Sequence, residues 1–126
     1  MIAGNTFYRK DQYGRPHLYV VISDPQKKQD DRFPGYVFAV MFSTYEKYRA
    51  DSCTVDVGEH PFIERKTEVV YRMPPAIFTP LSELLHLPRG ENASTDLLAK
   101  LRAGYLKSKY QTDNITQFLF RQGVIE

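Results

Sequence analysis

The chain has no tryptophan and one cysteine, Cys53. A single thiol cannot close an internal disulfide, which excludes a small secreted domain held together by disulfides and fits a reducing compartment. No apolar run approaches the ~18 residues that a membrane span requires, and Met1 to Lys10 has no apolar h-region of a secretory signal. These absences predict a soluble, cytoplasmic protein with no membrane partner. Charge of one sign is scarce as well. Seventeen Lys and Arg stand against fifteen Asp and Glu, a formal charge of +2. Twelve basic and twelve acidic residues fall between Met1 and Glu91, so the whole excess lies between Asn92 and Glu126. A polyanion-binding groove in the first part must therefore come from a few placed cations and not from bulk charge.

Familiar catalytic signatures are missing too. The histidines His17, His60 and His86 lie in separate segments, with no H-E-x-x-H motif and no cysteine pair, so no metal site is expected. There is no G-x-S-x-G nucleophile elbow and no phosphate-cradling glycine loop, and no cofactor is expected. Cys53 reads as a small buried hydrophobe rather than a reactive thiol.

What is present is a core-forming composition, 42% hydrophobic with nine Tyr and eight Phe. The first eighty or so residues carry strand and turn signals, and the rest carry helical ones. The strand candidates are Thr6–Arg9, His17–Ser23, Tyr36–Phe42, Cys53–Val57, Glu68–Arg72 and the edge segment Ala76–Phe78. Two of them, His17–Ser23 and Tyr36–Phe42, are apolar on both faces and predict strands covered on each side. The polar run Gln26–Arg32 predicts a mobile surface loop. Thr79-Pro80 followed by Leu81, Leu84, Leu85 and Leu87 predicts a two-turn helix stopped by Pro88. Ser94-Thr95-Asp96 predicts a second helix ending at Gly104, and Thr112-Asp113 a third, whose apolar residues are Ile115 and Leu119, with Phe118 and Val124 as further candidates. The expected fold is mainly β with C-terminal helices. A small barrel would span residues 1–91, and a helical extension, 92–126, would pack on the same domain.

Three segments could carry chemistry. Arg15 and His17, two apart in an extended segment, point to the same side, with Tyr13 on the adjacent loop. Guanidinium suits phosphate, imidazole can exchange a proton near neutrality, and tyrosine can stack on a base. The plain alternative is an Arg capping a loop and a partly exposed His at a strand start. Ser43 and Thr44, ending the second apolar strand, could bond a phosphate or merely mark a turn. Glu46, Lys47 and Arg49 beyond them read as a solvated loop. In Gly58–Ile63, Glu59 and His60 could form an acid/base pair, or the segment could be a turn anchored by Phe62. Lys66 reads mainly as part of a polar turn.

The order of these segments resembles that of the MazF/PemK/Kid-type toxins. Gly14-Arg15-Pro16 followed by Leu18–Ser23 is similar to their G-x-R-P-x-L-V-l-S segment. Val40–Thr44 stands where a second strand ends in a hydroxyl pair. Lys66–Tyr71, Ile77-Phe78-Thr79 and Leu84 follow in the family's order. Three departures stand out: Ala3–Thr6 replaces the usual G-D-i/v start, the first loop is shorter than in typical members, and Asn92–Glu126 extends past the typical helical end. The resemblance implies an SH3-like β-barrel, commonly a homodimer. It also implies a metal-independent endoribonuclease acting on single-stranded RNA and paired with a cognate antitoxin. By that resemblance Arg15 and Ser43 or Thr44 serve catalysis: Arg15 stabilises charge on the phosphoryl oxygens and indirectly helps protonate the leaving group, and the hydroxyl binds the phosphate. From its position, His17 is added as general base, with Tyr13, Tyr45, His60 and Lys66 as substrate-binding candidates. A non-catalytic module that binds a protein or nucleic acid through the barrel and tail is the competing expectation.

Overall fold

The computed structural model describes residues 2–25, 31–46 and 51–126. The expected loop from Gln26 and the polar stretch with Lys47 and Arg49 fall largely or wholly outside them. Among the described residues six strands form: β1 (Thr6–Lys10), β2 (Pro16–Val21), β3 (Tyr36–Thr44), β4 (Thr54–Val55), β5 (Thr67–Val70) and β6 (Ile77–Pro80). Two helices follow, α1 (Thr95–Lys107) and α2 (Asp113–Arg121).

The strands form one antiparallel sheet, ordered β1-β2-β3-β5-β4, with β6 also on β3. Strand β3 organises it. Its Tyr36–Ala39 end pairs with β6 and its Met41–Thr44 end with β5. Residues 71–76 bulge out between those two partners, opposite Val40. The hydrogen-bonded strands do not close into a barrel, contrary to the expected closure. Strand β4 is only two residues long, and the outer edge of β1 is taken by an irregular segment instead. Tyr8 N–H donates to Pro88 O at 2.8 Å, and Ala93 N–H donates to Gly4 O at 2.8 Å. That segment also protects the edge from pairing with another chain.

The two strands read as apolar on both faces are indeed covered on both. Leu18, Val20 and Ile22 with Phe38, Val40 and Phe42 point to one face and pack with Leu97, Leu101 and Tyr105 of α1 and Phe118 and Leu119 of α2. Tyr19, Val21, Ala39, Met41 and Val70 point to the other, together with Phe7 and Leu84. The C-terminal helices thus supply a wall of the main core. Removing them would strip several fully buried side chains, each worth ~2–5 kcal/mol.

Capping places the helices as expected. Ser94 Oγ accepts from Leu97 N–H at 3.1 Å, and Thr112 Oγ1 accepts from Ile115 N–H at 3.3 Å. Gly104, however, does not stop α1. It lies mid-helix because a Cβ there would collide with the Tyr71 hydroxyl and come within 2.7 Å of Cys53 Cβ. The two-turn helix expected at Thr79–Leu87 is also absent. Thr79 and Pro80 are strand residues paired with Val37 and Tyr36, and only Leu81–Glu83 makes a 3₁₀ turn. Among the described residues no helix is long and apolar enough to cross a membrane.

Candidate functional site

The second face of the sheet is apolar at one end and polar at the other. Register explains the change. Arg9 lies opposite His17, Tyr19 opposite Met41, and Ser43 opposite Glu68. Side chains two apart on a strand share a face. Arg9, His17, Ser43 and Glu68 therefore form a polar row one step beyond the apolar row of Phe7, Tyr19, Met41 and Val70.

The β1–β2 turn overhangs this row and is built around Asp11. One carboxylate oxygen accepts from Tyr13 N–H at 2.8 Å and from Arg15 N–H at 3.0 Å. The other lies 2.9 Å from His17 Nε2. Gly14, at φ +78°, donates its N–H to Asp11 O and adopts the left-handed conformation that the turn requires. Hydrogen bonding to His17, then the Arg15 N–H, holds the Asp11 carboxyl below its ordinary value of 3.8. An ionised carboxylate only accepts, so His17 Nε2 carries a proton toward Asp11. In the neutral ring Nδ1 is then a lone pair, 3.4 Å from Phe42 O. Were Nδ1 to gain a proton, that carbonyl could accept from it.

Arg15, His17, Ser43 and Thr44 line one cleft of about 630 Å³, with Tyr13, Asp11 and Arg65. Tyr13 is 77% exposed, which leaves its ring open to stacking. Arg15 sits in the turn itself, because β2 begins at Pro16. The cleft therefore combines an exposed cation on the turn, an imidazole oriented by a carboxylate, and two hydroxyls. Those groups can hold an anion such as a phosphodiester and move a proton beside it.

The other three candidates lie elsewhere. His60 is 4% exposed. Its Nδ1 accepts from Phe62 N–H at 3.0 Å, and its Nε2 lies 2.7 Å from Glu91 O, so both nitrogens hold backbone in place. Glu59 turns from His60 to Lys100, with oxygens 2.8 and 3.0 Å from the ammonium, and this pairing holds its carboxyl below the ordinary range. Tyr45 and Lys66 pack on each other, the ammonium 4.5 Å from the ring centre. Cys53 is buried, and that burial pushes its thiol up.

Sequence reasoning passed over Asp11, Arg65 and Arg9. The signal for Asp11 was an Asp three residues ahead of a Gly, a side chain suited to bonding the backbone of its own turn. Arg65 and Arg9 carried no local signal, since only tertiary pairing brings Arg65 to the cleft and Arg9 to the polar row beyond it. Among the described residues no three His, Cys, Asp or Glu side chains gather where they could hold a metal ion. No protein-family model, curated protein or solved structure matches the chain.

Proposed function

We propose that the protein is a toxin-like, metal-independent endoribonuclease that cleaves single-stranded RNA in the cytoplasm of a bacterium and is held in check by a cognate antitoxin. A homodimer and a distant kinship to SH3-like barrels of the MazF/PemK/Kid type belong to the same reading. The observation that carries it is the convergence of Arg15, His17, Ser43 and Thr44 on one cleft, with His17 oriented by Asp11.

The roles follow from the chemistry of each group. Arg15, charged at any physiological pH, stabilises the negative charge that develops on the phosphoryl oxygens. Ser43 or Thr44 donates a hydrogen bond to the same phosphate. His17 Nδ1 takes the proton of the RNA 2′-hydroxyl as that oxygen bonds to the neighbouring phosphorus. The resulting imidazolium is stabilised by Asp11 and by Phe42 O. The bond from phosphorus to the 5′-oxygen breaks, water supplies that oxygen's proton, and a 2′,3′-cyclic phosphate and a 5′-hydroxyl remain.

Induced expression in a bacterial host tests the reading. It predicts growth arrest, RNA fragments with 5′-hydroxyl ends, and relief of both by Arg15→Ala. Arrest that persists with Arg15→Ala, or fragments with 5′-phosphates, would count against it. The competing picture of a binding module predicts intact RNA throughout.

A further inference from the structure

A second groove of about 810 Å³ lies along the polar row, on the face of the sheet that bears Tyr19 and Met41. It shares Asp11, Tyr13, His17 and Ser43 with the candidate site, so the two meet over the ends of β2 and β3. Arg9 and Lys10 of β1 flank one side, and Arg72, at the start of the bulge between β5 and β6, flanks the other. Strands β1 and β5 are three interstrand spacings apart, ~14 Å, which exceeds what a single phosphate can bridge. Met73, 42% exposed, and Pro74 present an apolar surface beside Arg72.

We propose that this groove is a second strand-binding subsite. In it the RNA continues past the scissile phosphate, with Arg9 and Arg72 each holding a different backbone phosphate of the adjoining nucleotides and the Met73–Pro75 surface receiving a base between them. Cations on both sides of an apolar surface suit a single-stranded nucleic acid, whose backbone is charged and whose bases are not. Continuity with the first cleft selects the same strand as the occupant. The inference rests on the ribonuclease reading for the identity of that strand. It makes Arg9 and Arg72 binding residues that touch no reacting atom.

The test uses 2′-O-methyl oligoribonucleotides, which lack the nucleophile, alongside unmodified RNA. Wild-type protein should bind a hexanucleotide at least tenfold more tightly than a dinucleotide. Arg9→Ala and Arg72→Ala should each weaken hexanucleotide binding about tenfold and lower its salt slope by about one. The same variants should leave dinucleotide binding unchanged within about twofold, Arg9→Lys should restore much of the loss, and thermal unfolding should confirm that each variant folds. Cleavage of unmodified RNA with no length step and no effect of either variant would overturn the subsite and leave the ribonuclease reading standing. A length step that depends on Arg9, without any cleavage, would support the subsite and overturn the catalytic reading. Binding of neither oligonucleotide would overturn both.

Discussion

Two loops of this molecule are built from similar parts. The turn Asp11–His17 and the loop Asp56–Ile63 each contain a carboxylate that accepts a backbone N–H, a histidine with both ring nitrogens near hydrogen-bond partners, and a neighbouring aromatic. In the turn, carboxylate and histidine bond to each other and border a cleft, and Tyr13 stays exposed. In the loop they part: Glu59 pairs with Lys100 of α1, and His60 is sealed against Glu91 and Phe62. The residue types alone do not separate a working histidine from a structural one. What separates them is access: His17 borders an open cleft, whereas His60 is buried.

Substitutions can break that contrast. The largest effect is expected at His17. His17→Ala should lower RNA cleavage ~10²–10⁴-fold while thermal unfolding hardly moves, because the ring is partly exposed and its loss opens no core cavity. His60→Ala should do the reverse. It removes a buried ring and strands Glu91 O and the Phe62 N–H, which should cost about 2–4 kcal/mol in denaturant unfolding, with cleavage per folded molecule retained.

Asp11→Asn should come next. The amide keeps an acceptor for the turn but cannot offer His17 a carboxylate, so cleavage should fall ~10-fold or more. The same variant gives a pH test. The folded Asp11 carboxyl titrates below its ordinary value of 3.8, so its contribution to stability is present above that value and is lost as pH falls through the lower folded one. The gap in unfolding midpoint between wild type and Asp11→Asn should therefore close as pH falls below 3.8. A gap that stayed open well below pH 3.8 would contradict a hydrogen-bonded, ionised Asp11.

The smallest effect belongs to Glu59→Gln. Its pair with Lys100 is partly exposed, so stability should drop by no more than ~1 kcal/mol, and the loss should shrink in high salt.

The contrast between the loops also marks how far the sequence could be read. The two central strands were legible because Leu18–Ile22 and Val37–Phe42 leave no polar face, and a strand apolar on both sides must be covered on both. Ser94 and Thr112 announced their helices because a hydroxyl at an N-cap has one purpose in that context. The helix expected after Thr79 failed for a tertiary reason. Leu81, Leu84 and Leu85 have helical spacing, yet pairing of Thr79 and Pro80 with β3 fixes the chain as a strand just before them. Gly104 misled because its cause lies in Tyr71 and Cys53, far away in sequence. Barrel closure failed because β4 is short and the edge of β1 is met by an irregular segment.

At the site, Arg15, His17, Ser43 and Thr44 could be picked out locally, since they sit at strand ends beside a turn. Asp11 was missed because its role needs two partners, the backbone of its own turn and the ring of His17. His60 could be read either way until its burial was known.

The account stands or falls on whether the Asp11–His17 turn and the hydroxyls beside it break a phosphodiester. The most direct measurement is end-group analysis of a single-stranded RNA incubated with purified protein in EDTA, beside Arg15→Ala, His17→Ala and His60→Ala. The account predicts 2′,3′-cyclic phosphate ends from wild type and from folded His60→Ala, and almost none from Arg15→Ala or His17→Ala. Intact RNA at high protein concentration, or equal cleavage by all four proteins, would contradict it.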